Sequence, residues 1–140
     1  MTGRVLGLDV GDRRIGIAIS DSLGMTAQRL SLLERSSVDT DVQALAAMVR
    51  EHGVETIVVG LPLTLEGTIG SQAKRVLALA EALRVVAPCS VELLDERLTT
   101  AQGERLLISM DTSRKKRKGL IDQVAAQLIL QSYLDAKYPR

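Results

Sequence analysis

Four carboxylates stand where the pattern of the chain calls for apolar residues or a strand end. Asp9 interrupts the aliphatic run "VLGLDV", Asp95 and Glu96 close a later run, "VELLDE", and Asp122 shares a helical stripe with Ala126, Ile129 and Tyr133. Carboxylates gathered at short range repel one another and must either protonate or find a counter-charge. A divalent cation supplies it, and oxygen ligands without His or Cys suit Mg²⁺ or Mn²⁺. Two such ions about 4 Å apart can activate a water and steady a leaving oxygen in phosphodiester cleavage. Each acid also has a local use. Asp9 can tie the turn at Gly11 through an amide two residues on, while Asp95, Glu96 and Asp122 can favour the positive starts of nearby helices.

Bringing these acids together requires strands whose ends meet. Residues 4–10 and 15–20 are β-branched and aliphatic runs separated by "GDRR", which predicts an antiparallel hairpin with Gly11 as the permissive backbone position. A third, weaker strand fits Ala27–Leu33. From Asp39 the period turns helical through Val42, Leu45, Ala46 and Val49, to stop at Gly53, where His52 can satisfy the last carbonyls. Residues 56–60 read as a strand covered on both faces, followed by a glycine-punctuated loop over 61–70, either an ordinary surface loop or one that Gly67 and Gly70 leave pliant enough to close over a substrate. Ser71 then caps a helix to about Val86, and 91–95 forms another strand. Thr99 and Gln102 have capping-box spacing for a helix over Thr100–Ser109, and a final helix runs from about Leu120 to Lys137, after the basic segment. Right-handed crossovers then give an α/β fold, a mixed sheet with helices on its faces, whose strand ends collect functional groups.

Composition narrows the class. The length suits one domain over 1–140, with no Phe or Trp and two Tyr, so the core is aliphatic and base stacking is scarce. The opening apolar run is too short for a secretory signal, no later run is long enough to span a membrane, and a cytoplasmic protein is expected. Cys89 has no partner for a disulfide and no neighbours suited to zinc. The formal charge of +1 is uneven: Arg114, Lys115, Lys116, Arg117 and Lys118 are consecutive, and without them 13 basic residues face 17 acidic ones. Such a cluster is a candidate footprint for a polyanion, or simply a solvated loop.

Taken in order, "GLDVGDRRIGIAISD" (7–21), "VVGLPLTLEGTIGSQA" (58–73), "DERLTT" (95–100) and "KKRKGLIDQVAAQLILQSYLD" (115–135) resemble the successive motifs of the YqgF/RuvX family over essentially the whole chain. The resemblance implies a ribonuclease H-like three-layer fold with a mixed five-stranded sheet ordered 3-2-1-4-5. It also implies a metal-dependent nuclease, either maturing the 5′ end of pre-16S rRNA or resolving Holliday junctions. The family's catalytic, metal-holding acids fall on Asp9, Glu96 and Asp122, so it is the resemblance that prefers Glu96 to Asp95. The chain departs from the family's motifs at Asp12 and Arg13 in the first turn and at Thr64, Ile69 and Ser71 in the loop, which bears on substrate contacts and leaves the triad untouched.

In a sheet of that order the strand ending at Asp95 lies two places from Asp9, about 9–10 Å away, so Glu96 must reach inward. Arg14, Arg97 and residues 114–118 would hold the nucleic-acid backbone; Arg14 also reads as a strand-end charge and Arg97 as a partner of Asp95 or Glu104. The implied cofactor is one or two Mg²⁺ or Mn²⁺ ions. The implied partners are pre-rRNA, within ribosomal precursor particles, or branched DNA, with no membrane and with the chain as monomer or homodimer. Two rivals stand beside a nuclease: an RNA-binding ribosome-assembly factor without catalysis, and a nucleotide-binding module suggested by "GLDVG", against which the length argues.

Overall fold

Alternation along the strands, interrupted by one register shift between Arg4 and Val5 and another between Ile17 and Ala18, decides which side chains face which layer. The computed structural model of the chain describes residues 3–98 and 114–137. The strands are β1 (Arg4–Val10), β2 (Arg14–Ser20), β3 (Ala27–Glu34), β4 (Val54–Leu61) and β5 (Ser90–Asp95). The helices are α1 (Val38–His52), α2 (Ser71–Val86) and α3 (Arg114–Lys137), and a 3₁₀ turn, Glu96–Leu98, follows β5. The sheet runs β3-β2-β1-β4-β5, the order expected, with β1–β2 and β2–β3 antiparallel and β1–β4 and β4–β5 parallel. The helix expected over Thr100–Ser109, with its capping pair Thr99 and Gln102, lies outside the described residues. Among those described, no helix is long and apolar enough to cross a membrane.

On one face, Leu6, Leu8, Ile15, Ile17, Ile57 and Val59 pack under α1 and α2, meeting Val42, Leu45, Leu79 and Leu83. On the other, Val5, Ala18 and Val58 meet Ala126, Ile129, Leu130 and Leu134 of α3. This second layer is thinner, because Gly7 sits where a Cβ would come 2.7 Å from that of Leu130. Two glutamines fix how far α3 lies along the sheet. Gln131 Oε1 accepts from the Ala27 amide and Gln127 Nε2 donates to the Ala27 carbonyl, each at 2.9 Å.

The helix ends agree with the sequence in part. Gly53 closes α1 in the left-handed conformation (φ 64°), and Ser37 caps its start by accepting from Thr40 N. Ser71 is not a cap: Gly70 occupies that position and Ser71 is already helical. The last helix starts at Arg114 rather than near Leu120, so the basic run is part of α3 and not a loop before it. Lys and Arg are good helix formers, and their charge is no signal of irregular backbone.

Candidate active site

The hairpin that carries Asp9 is held by backbone. The Gly11 amide donates to the Arg14 carbonyl (2.8 Å), and φ at Gly11 is not positive. Glycine is needed there for closeness instead: a Cβ would stand 2.9 Å from the Arg14 oxygen. The turn is braced from outside by Arg35, whose amide donates to Arg13 O (2.8 Å) and whose Nη1 donates to Gly11 O (3.1 Å). Arg35 is held in turn by Asp41, 1% exposed, through Nε–Oδ2 at 3.1 Å; Asp41 also accepts from Ser36 N. Asp41, in the first turn of α1, was not among the acids singled out from the sequence. Asp12, one of the departures from the family pattern, pairs with Arg75 of α2 at 3.2 Å, both being largely exposed.

Asp9 is 6% exposed and, by alternation from Gly7, faces α3. Its partner across the β1–β2 ladder is Gly16. On its other side, one step beyond the Leu8–Val59 pair, lies Gly60 of β4. Asp9 is therefore flanked by two residues without side chains, and the space each leaves is taken. Over Gly16 sits the backbone carbonyl of Asp122, so close that a Cβ could be accommodated only if the helix moved away. Over Gly60 lie Ile129 Cδ1 of α3, 2.5 Å from where a Cβ would stand, and the Glu96 side chain, its Cγ and Cδ 3.1 and 3.2 Å away.

β5 is two places from β1, and the Glu96 side chain lies over the backbone of β4, the strand between them, at Gly60. The signal was present in the sequence as isolated glycines, 16 and 60, inside aliphatic strands, a mark of close approach by another group. Asp122 shares a stripe of α3 with Ala126 and Ile129, as expected, but it lies two turns inside the helix and not in its first turn, which holds no acid, so it does not serve the helix start. Its Oδ2 lies 3.3 Å from Arg14 Nε. Asp9, Asp122 and Glu96 thus border one region over β2, β1 and β4. They are not yet a ligand set: no group of three or more His, Cys, Asp or Glu among the described residues is placed to hold a metal ion.

Asp95 is occupied elsewhere. It accepts from the Arg97 guanidinium (Nη2–Oδ2 2.8 Å) and from the Arg97 amide (2.9 Å). These bonds, the guanidinium's first, hold its carboxyl below the usual carboxylate range. Arg97 therefore makes the ion pair that the sequence allowed, and its Nη1 also reaches Leu65 O at 3.5 Å. The side chains of residues 114–118 lie outside the description, but their backbone places them on the turns of α3 before Asp122, about 6–12 Å along the axis. His52 sits in the last turn of α1, the place its sequence context gave it.

Comparison with known proteins gives a consistent set of likenesses. A family model described as RuvX, Holliday junction resolvase, matches residues 3–136. A protein of Halalkalibacterium halodurans named "Putative pre-16S rRNA nuclease" is 52% identical over 134 residues, covering 94% of this chain and 96% of its own. One of the same name from Clostridioides difficile is 44% identical over 137 residues, covering 98% and 97%. Among solved structures, Thermus thermophilus RuvC in complex with a Holliday junction substrate aligns with TM-score 0.62 at 16% identity, covering 97% of each chain. The Fowlpox virus Holliday junction resolvase aligns with TM-score 0.53 at 12% identity, covering 95% of this chain and 99% of its own. At those identities the two structures speak for a shared fold.

Proposed function

Since the chain belongs to the RuvX family, we propose that it is a metal-dependent nuclease whose substrate is precursor 16S rRNA, cut at the 5′ end of the mature sequence. The observation that carries this reading is the placing of Asp9: a buried carboxylate between two glycines, with Glu96 folded over one and Asp122 over the other. The donor set is all oxygen, carboxylates from three segments that border one region, and in their chemistry these residues fit Mg²⁺ or Mn²⁺. Asp9, Glu96 and Asp122 would hold one or two such ions. Bound there, such a metal would lower the pKa of a water so that hydroxide attacks phosphorus, and would supply charge to steady the leaving oxygen.

The protein's own part is to position and to neutralise. Asp9 is fixed by the braced hairpin, and Arg14 compensates Asp122 across 3.3 Å. Arg14, Arg97 and residues 114–118 attract the phosphate backbone. With aromatic residues so scarce, recognition rests on charge and shape rather than stacked bases. Curated relatives bearing the rRNA nuclease name favour RNA in ribosomal precursors, a cytoplasmic substrate, over junction DNA.

The test is cleavage of pre-16S rRNA and of a four-way DNA junction, side by side, with Mg²⁺ and with Mn²⁺. The expected result is metal-dependent cutting of the RNA, reduced a hundredfold or more in Asp9→Asn, since even the partners of metal ligands are worth about 10–100-fold. Cutting confined to the junction would replace the substrate and keep the chemistry. Full activity in Asp9→Asn would remove the triad, and wild type inert on both substrates would leave a binding factor.

A further inference from the structure

The loop after β4 does not hang freely beside the site. Thr64 N donates to Thr68 O (3.0 Å), Thr68 N to Thr64 Oγ1 (3.1 Å) and Gly67 N to Thr64 O (2.8 Å), and the two hydroxyls meet at 2.6 Å. Residues 64–68 therefore form a self-closed turn, with Gly67 at φ 83° and Leu65 at its tip, 89% exposed. One side chain joins this turn to β5. The Arg97 guanidinium grips Asp95 through Nε and Nη2 (3.1 and 2.8 Å), while Nη1 points to Leu65 O. The same group fills the place of a side chain at Gly67, with Nη1, Nη2 and Cζ 3.0–3.3 Å from where a Cβ would be. Between Asp95 and Arg97 lies Glu96.

We infer that Arg97 is a positioning residue that locks the 64–68 turn to the backbone on both sides of Glu96, so that the two move as one unit. The inference rests on the nuclease reading above and gives Arg97 a task beyond attracting phosphate. A guanidinium suits it because its planar fork serves a carboxylate with one edge and a carbonyl with another, which an ammonium cannot do. A substrate pressing on the exposed tip then bears directly on Glu96, and Glu96 reaches over Gly60 only while the turn stays docked.

Arg97→Lys keeps the charge and removes the fork. In protein without nucleic acid, amide exchange at Gly67 and Thr68 should quicken about tenfold as the turn undocks. With Mn²⁺ and the RNA substrate, kcat should fall about 10–100-fold, the scale of losing a group that orients a ligand, while KM and its salt dependence stay within about twofold. Asp95→Asn leaves Arg97 in place and loosens its grip, so it should shift exchange and kcat in the same direction. The double variant should then be little worse than the worse single one. Unchanged exchange in Arg97→Lys, faster exchange with unchanged kcat, a loss that falls on KM, or strictly additive variants would each overturn the inference. A wild type that cuts neither substrate would overturn the nuclease reading instead, and exchange would still decide whether Arg97 docks the turn.

Discussion

The two faces of the sheet are built from the same strands to opposite ends. Toward α1 and α2 the strands present Leu, Ile and Val, which hold the helices off at full side-chain height. Toward α3 they present Val5, Ala18 and Val58 together with Gly7, Gly16 and Gly60, and over Gly7 and Gly16 the helix backbone comes down onto the strands. The first face buries apolar volume and carries no candidate chemistry. The second gives up volume so that polar groups from distant segments can lie next to Asp9. Stability and function are thus divided between the sides of one sheet, with a charge pair of the partly buried Arg35 and the buried Asp41 on the stabilising side reaching round to the turn after Asp9.

That division can be broken from either side. The largest stability loss is expected for Asp41→Ala, about 3–5 kcal/mol, because it strands the mostly buried Arg35 guanidinium and frees the Gly11 turn; chemical denaturation reads it. Leu8→Ala, under α1, should cost about 2–5 kcal/mol by the same measurement, with kcat of the folded protein within about twofold of wild type. Gly16→Ala inverts the pattern. Its methyl meets the Asp122 carbonyl and must lift α3, costing about 1–3 kcal/mol but at least a hundredfold in cleavage. Equal losses of kcat in Leu8→Ala and Gly16→Ala would end the distinction between the faces.

The smallest effect is one of pH. Asp95 has its folded pKa lowered by Arg97, so the folded state binds fewer protons there than the unfolded chain. Its contribution to stability is fully present above the unfolded carboxylate pKa and is lost as pH falls through the lowered folded value. The stability difference between wild type and Asp95→Asn should therefore shrink on acidification through that window, and a constant difference would show that Arg97 holds the side chain without regard to its charge.

How much of this was legible in the sequence follows from the range of each interaction. Alternation and helical period are local, so the strands, the Gly53 stop and the inward stripe through Asp122 could be read directly, and the family motifs supplied the strand order. The start of α3 was misread because five consecutive charges look like a loop while lysine and arginine propagate a helix well. Gly11 was read for backbone freedom and serves for close approach. The fold of Glu96 over Gly60 depends on how β4 and β5 are aligned, and the approach of Asp122 to Gly16 joins segments 106 residues apart; neither is encoded in any local window. The glycines themselves were visible, and an interior strand glycine beside an acid is the pattern to look for.

The glutamines that set α3 along the sheet have a second consequence, for how copies of the chain meet. β3 is an edge strand, and an edge offers outward amides and carbonyls to any strand that comes alongside. At Ala27 both groups are already taken, by Gln131 and Gln127. A second chain aligning there finds its first rung occupied, so the contact that seats Asp122 also guards one end of the open edge against strand-by-strand aggregation.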